Sequence, residues 1–419
     1  MVCCNSEFGE TIGMRMKSGW ALVFAAASLL AFSSCSNSNN ASTGSGIVWV
    51  ATSGDQMINT YTINSTTGAG SRVGNGVPSG VQPSAMVMTP DRKSIFVADA
   101  GEIRAFSVST DGTLAAIGSP VPVTPSPSGV AVDPTGQLLF VVSQGNAGGL
   151  GQPGTVPGAI SIFNISNPST PTPVTNSPFP SALPGDSIGN GPVAVAVSPV
   201  GGYVYVANQF TNTVGAFSYD ATAGTLTFIA TYNTGANPAG LAFSRCAGGK
   251  VLNSNCTGPD GDTLFVANSG LSNDISIFTA CIEVTPTCSS PTGRLQAVSI
   301  SPVAASGIGP SSIIVSPVLD FVYVVDTQSN QVSQFKYGPS NGSLTALAPA
   351  AISTGAGPVS GGITSDGAFV IVPDSGGSEL AVFKANNGSS TGVAATGILT
   401  RATSPSITLS GQPTAVVVR

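Results

Sequence analysis

An all-β ring of seven four-stranded antiparallel sheets, a β-propeller, is the fold this sequence predicts. Three observations carry it. Short apolar runs recur seven times, at Ile47-Val48-Trp49-Val50, Ile95-Phe96-Val97-Ala98, Leu139-Phe140-Val141-Val142, Tyr203-Val204-Tyr205-Val206-Ala207, Leu264-Phe265-Val266-Ala267, Phe321-Val322-Tyr323-Val324-Val325 and Phe369-Val370-Ile371-Val372. Their starts lie 44 to 64 residues apart, the range in which each repeat forms one supersecondary unit. Gly and Pro sit between the runs, and no helical periodicity appears beyond the N-terminal region.

The fourth repeat shows what a unit contains. Pro192–Val197 reads as a buried strand, Ser198–Gly202 as a turn and Tyr203–Ala207 as a second strand. Thr213–Tyr219 alternates as a half-buried strand should, and Thr225–Ala230 follows a turn at Asp220–Gly224. One such meander cannot bury both faces alone, whereas seven packed radially can. The repeat series opens at a second strand, Ile47, and finishes on a first strand, Pro413–Val418. The C-terminal strand is therefore expected to close the first blade and remove two sheet edges. With 42% hydrophobic residues, residues 47–419 can form one such ring.

The strand Tyr203–Asn208, its Pro-x-x-hydrophobic partner and the Gly-Thr-Leu-Thr outer strand at Gly224–Thr227 resemble the lactonase-like, YVTN-repeat propeller family over residues 47–419. The resemblance implies the seven-bladed fold and, for some members, hydrolysis of sugar lactones. It also implies histidine after the proline that opens the first strand in some blades of hydrolytic members. This chain has Pro83-Ser84, Pro127-Ser128, Pro192-Val193, Pro238-Ala239, Pro310-Ser311, Pro358-Val359 and Pro413-Thr414 there, and no histidine anywhere. A lactonase would have to work without imidazole, the usual base near neutral pH.

Ahead of the ring, residues 1–35 read as an export signal with a lipoprotein-like processing site. Arg15 and Lys17 precede an apolar run of 13 residues from Trp20 to Phe32, then Ser33-Ser34-Cys35. Cys35 is the expected lipidation site, and the run is too short for a comfortable membrane span. Residues 36–46, Ser-Asn-Ser-Asn-Asn-Ala-Ser-Thr-Gly-Ser-Gly, form a polar tether. Only 8% of residues are charged and the net charge is −6. Without a basic cluster the chain is not expected to bind nucleic acid, and membrane contact is expected only through the anchor. The reading is an extracytoplasmic envelope protein, anchored or secreted. Its oligomeric state is not encoded in any pattern.

Cys246, Cys256, Cys281 and Cys288 all fall in the fifth repeat. An oxidising compartment favours two disulfides, most simply Cys246–Cys256 and Cys281–Cys288, with three connectivities open. A metal site is the rival reading, disfavoured by the missing CxxC spacing and missing histidine.

A site is expected on the face carrying the loops between second and third strands and between consecutive blades. Two long insertions attach to the third blade there, 144–154 and 178–190, and long loops on a rigid scaffold often carry function. Asn146, Phe179 and Asp186 in them are candidate ligand contacts. So are Asn208 and Asn268, which end second strands, as do Asp99, Ser143, Asp326 and Asp374. Oxygens converging on a channel could hold Ca²⁺ or Mg²⁺, or hydrogen-bond a sugar-like ligand; Asp and Asn are equally at home in turns. Asp99, Asp326 and Asp374 are the candidate catalytic carboxylates, and no cofactor is required. Gly185-Asp186-Ser187-Ile188-Gly189 fits the nucleophile-elbow pattern but lacks its strand-to-helix setting and its histidine.

The functional expectation from sequence is thus an exported, lipid-anchored propeller that binds a protein, glycan or small ligand through its loop-rich face, without a clear catalytic site. The alternative is a lactone hydrolase, a carboxylic ester hydrolase of the 6-phosphogluconolactonase-like type, metal-assisted through the Asp ring.

Overall fold

The computed structural model describes residues 46–145, 158–180, 191–244, 262–284, 288–388, 394–402 and 406–419. Cys35, Asn146, Asp186, Cys246 and Cys256 lie outside the described residues, as does the proposed leader. Among the described residues there is no helix, and the strands assemble into seven antiparallel sheets.

The fourth blade follows the expected order, Pro192–Val197, Tyr203–Asn208, Thr213–Asp220 and Thr225–Asn233 from the inside out. Closure is also as expected. The C-terminal strand Pro413–Val418 pairs antiparallel with Gly46–Thr52, Trp49 standing opposite Val417. Ile47 and Arg419 extend the ladder by exchanging backbone hydrogen bonds. First strands of neighbouring blades pack side by side in an unbroken cycle, which makes the sheets a ring.

Every second strand is buried along its length but for the opening residues Gly46 and Tyr203, from Gly46–Thr52 to Phe369–Asp374. Both faces of each second strand are covered, which is why the sequence shows continuous apolar runs there and not alternation. Alternate residues feed different neighbours. Val322 and Val324 pack toward the fifth blade with Phe265 and Ile277, while Phe321, Tyr323 and Val325 pack toward the seventh with Val370 and Phe383. Seven such apolar seams hold the ring together, and burying each large side chain contributes roughly 1.5–3 kcal/mol.

Two details depart from four continuous strands per blade. The outermost strand is split in the third, fifth and seventh blades, for example Leu295–Ala297 and then Val303–Ala304. Proline lies within or beside several of these segments, at Pro173, Pro180 and Pro302; it cannot donate to a ladder and is tolerated on edges. The first strand of the seventh blade shrinks to Gly362–Ile363, with Pro358 retaining only a bridge to Asp374. Gly361 and Gly362 have little intrinsic preference for strand, and a β-carbon at Gly361 would displace the tip of the buried Ile314 side chain.

Candidate functional site

The loop-bearing end of the ring is built from one repeated arrangement. In five blades the proline opening the first strand stands opposite the last residue of the second strand: Pro413 with Thr52, Pro127 with Ser143, Pro192 with Asn208, Pro238 with Asn268 and Pro310 with Asp326. The register slips by one immediately afterwards in each, a bulge that sets the following side chain apart from the ladder.

The polar residues ending the second strands do not converge on the channel. Asp326 has the parity of Val322 and Val324, so it points into the seam with the preceding blade, and the same alternation holds for Asp99, Ser143, Asn208, Asn268 and Asp374. All six are at most 3% exposed. Each capped seam is closed by the loop arriving from the preceding blade. Asp374 Oδ2 accepts the Gly355 N–H at 3.0 Å. Asp326 Oδ2 accepts the Ser333 hydroxyl at 2.5 Å, and Ser333 Oγ accepts the Ser306 N–H at 2.9 Å. Asn268 donates to Asp274 at 2.7 Å and to Ser276 at 2.9 Å, and Ser276 Oγ accepts the Gly235 N–H at 3.1 Å. Asp99 instead pairs with Arg104 at 2.7 Å, whose other arm reaches Glu102 at 2.8 Å.

This satisfaction is incomplete. Ser143 Oγ and the Oδ1 atoms of Asn208, Asn268, Asp326 and Asp374 are buried with no hydrogen-bond partner. Two of these groups titrate high as a result. Burial pushes the Asp326 carboxyl up to about 6 despite the opposing Ser333 and Gln331 hydrogen bonds. Burial likewise pushes Asp374 up to about 6, against the Gly355 N–H and with help from the neighbouring Glu379 charge. Among the described residues, no three His, Cys, Asp or Glu side chains gather as a metal ion would need.

One residue further along, the chain meets solvent. Ser53, Gln144, Gln209, Ser269, Thr327 and Ser375 are half-buried. In these six blades the backbone N–H donates to the carbonyl just before the opening proline, as from Thr327 to Gly309 at 2.9 Å. Their side chains form a neutral polar mouth. Thr327 donates to Ser311 Oγ at 2.7 Å, Ser375 to the Gly357 carbonyl at 2.8 Å, and Gln144 reaches Gln209 across the third and fourth blades at 3.5 Å. Where histidine was implied by resemblance, hydroxyls cap the second strand instead: Ser84, Ser128, Ser311 and Thr414 bond the carbonyls of Ala98, Val142, Val325 and Ala51 at 3.2 to 3.3 Å.

Of the remaining candidates, Phe179 lies in a short outer-strand segment and packs against the seam between the third and fourth blades. Cys281 and Cys288 are joined as a disulfide between the third and outermost strands of the fifth blade, at the end opposite the mouth. Sequence reasoning missed the loops that cap the seams. Their signal is a recurring Ser/Thr-Gly with the glycine three residues before the proline, at Ser79-Gly80, Thr234-Gly235, Ser306-Gly307 and Thr354-Gly355, and two before it at Ser410-Gly411. Glycine is needed because a β-carbon at Gly80 would sit 1.8 Å from Asp99 Oδ2, and one at Gly355 2.2 Å from Glu379 Oε1.

Comparison with known proteins bears on the family of this chain. The family model described as "Lactonase, 7-bladed beta-propeller" matches residues 47–177, 172–278, 198–360 and 256–405. A candidate 6-phosphogluconolactonase from Bacteroides uniformis superposes with a TM-score of 0.68 at 18% identity, covering 90% of this chain and 99% of that one. The periplasmic gluconolactonase of Pseudomonas aeruginosa superposes with a TM-score of 0.67 at 18% identity, again over 90% and 99%. At such identity the likeness is one of fold. A search of curated proteins gives no significant match.

The expectation of a propeller that only binds is corrected by the family match. That expectation rested on the missing histidine, yet imidazole is not the only group that can activate water. Burial pushes Asp326 and Asp374 up to about 6, and both lie in the seams behind Thr327 and Ser375 and not in the mouth itself.

Proposed function

The chain belongs to the seven-bladed lactonase propeller family, and from that premise we propose that it hydrolyses a lactone at the neutral mouth of the ring. The observation that carries this reading is the family match, which runs through residues 47–405 and so touches every blade. The site chemistry supports it. The hydroxyls and amides of Ser53, Gln144, Gln209, Ser269, Thr327 and Ser375 offer both donors and acceptors to the oxygens of a cyclic ester. In adjacent blades, Asp326 and Asp374 each commit one oxygen to the protein and keep the other without a partner.

Asp326 and Asp374 lie in the seams directly behind Thr327 and Ser375, so this role requires that water enter the seam beside the mouth; a carboxylate there takes the proton as the water oxygen attacks the lactone carbonyl carbon. Collapse of the tetrahedral adduct breaks the ring C–O bond, and the same carboxyl returns the proton to the departing alkoxide. The product is an open hydroxy acid. We assign the protein to an extracytoplasmic compartment: the signal-like segment through Cys35 and the Cys281–Cys288 disulfide favour an oxidising environment, in keeping with the periplasmic relative of like fold.

The test is hydrolysis of sugar and acyl-homoserine lactones by the purified chain, with added Ca²⁺ and again in EDTA. Turnover unaffected by EDTA is expected if carboxylates activate the water. Turnover abolished by EDTA would assign that role to a metal ion, and no turnover by a folded sample would refute the reading.

A further inference from the structure

The charge layout of the ring narrows the substrate. Of the basic side chains, Arg92, Lys93, Arg294, Lys336, Lys384 and Arg419 belong to turns or strand ends at the face opposite the mouth. Arg72 and Arg401 stand on outermost strands, where Arg72 bonds Asn59, and Arg401 bonds Ser406, lies over the Phe383 ring and reaches the Glu379 carboxylate at 3.9 Å, so that it too is committed to an acid. Arg104 alone, among the described residues, belongs to the inner part of the mouth end, and both its arms are held by carboxylates, Asp99 and Glu102.

Acidic groups crowd the same end. Asp326, Asp374 and Glu379 belong to neighbouring blades, Asp374 and Glu379 standing directly opposite each other in the ladder. Asp55 occupies the corresponding turn of the first blade, and Asp274 opens the third strand of the fifth.

A phosphate monoester carries between one and two negative charges near pH 7 and is recognised by free guanidinium or ammonium groups or by the N-terminus of a helix. The described mouth offers none of these. Its hydroxyls and amides instead match the hydroxyls of a neutral ligand. We infer that, within the lactonase reading on which this rests, the substrate is an uncharged, hydroxyl-bearing lactone and not a phosphorylated one. The same field acts on the product: hydrolysis converts a neutral ring into a carboxylate, which the carboxylates lying behind the mouth repel, so product release is favoured where substrate entry is unopposed.

The experiment compares D-glucono-1,5-lactone with its 6-phosphate on the purified full chain, at low salt and at about 0.5 M NaCl, where screening is strong. The neutral lactone is expected to have a kcat/KM at least about tenfold higher at low salt, equivalent to about 1.4 kcal/mol. Salt is expected to narrow the gap by raising the rate on the phosphorylated lactone only. Thr327→Lys, which brings an ammonium to the mouth, is expected to narrow it further. Equal or faster hydrolysis of the 6-phosphate overturns this inference and leaves the lactonase reading standing. Hydrolysis of neither compound, nor of any other lactone tried, overturns both.

Discussion

The phenol of Tyr205 donates a 2.9 Å hydrogen bond to the backbone carbonyl of Gly293, from the second strand of the fourth blade to the turn of the fifth. The same device recurs from Tyr323 to Gly397 at 2.7 Å and, with an indole, from Trp49 to Gly112 at 2.8 Å. In each case an apolar seam ends in one directed bond that sets the height of a blade against its neighbour. All three donors are essentially inaccessible to solvent, so the carbonyls they reach have no easy replacement partner.

Tyr205→Phe should therefore destabilise the ring by about 1–2 kcal/mol, the cost of leaving a buried acceptor unpaired. Chemical denaturation measures this directly. Gly293→Ala should cost more, because its φ of +68° suits glycine and a β-carbon would lie 2.3 Å from Tyr203. A variant Tyr205→Phe as stable as the parent would show that the bond does not hold the blades in register.

Acidity should stabilise this protein over part of the range where carboxylates usually titrate. Asp326 and Asp374 titrate near 6 in the folded chain, above their ordinary 3.8, so the folded state binds protons that the unfolded state has released. The contribution of these two groups is then fully present below about 4 and is lost as pH rises through about 6, by at most about 3 kcal/mol per group. Asp55, Asp111 and Asp220, whose hydrogen bonds lower their pKa, oppose it in strong acid. Asn208 and Asn268 already occupy the equivalent position in two blades. Asp326→Asn with Asp374→Asn should thus raise the melting temperature at pH 7.5 and flatten its decline between pH 4 and 6. The same double variant should lose about 100-fold or more in kcat if these carboxylates activate water. Loss of activity with unchanged pH-dependent stability would separate the two roles and refute the shared cause.

Thr327→Ala removes a mouth hydroxyl and its bond to Ser311 while leaving the backbone N–H that holds the Gly309 carbonyl. KM for a neutral lactone should rise about fivefold, the equivalent of one hydrogen bond worth about 1 kcal/mol, with kcat little changed. A fall in kcat with KM unaltered would move Thr327 from binding to the chemical step.

Deleting residues 413–419 strips the first blade of its innermost strand and exposes the edge of Gly46–Thr52. The truncated chain should fail to give a cooperative unfolding transition, and should aggregate through that edge. A monomeric, cooperatively melting truncation would show that six complete blades suffice.

The ring was legible in the sequence because burial on both faces of every second strand writes an unbroken apolar run, and the run repeats. Closure was legible for a related reason: Ile47 begins in the middle of a repeat that Val418 completes. What the pattern could not reveal is which way Asp99, Asn208 or Asp326 points. With both faces of the strand buried, Val322 and Val324 look no different in sequence from Tyr323 and Val325, although they face different blades. The polar ends of the second strands were therefore read as a ring around the channel, while the structure puts them in the seams. The half-exposed residues beside them, Gln144, Gln209 and Thr327, went unremarked because a neutral amide or hydroxyl carries no catalytic signature.

Seam and mouth sit on consecutive residues here, Asp326 beside Thr327 and Asp374 beside Ser375. Substitution at the second of each pair alters what the mouth presents while its backbone amide continues to anchor the loop. A single-residue insertion or deletion in a second strand would do something different, since the alternation of sides would carry a solvent-facing group into the seam and a seam carboxylate into the mouth. New specificity in this scaffold is thus reached by exchanging side chains in place. Length changes belong in the connections between blades, where no alternation is at stake.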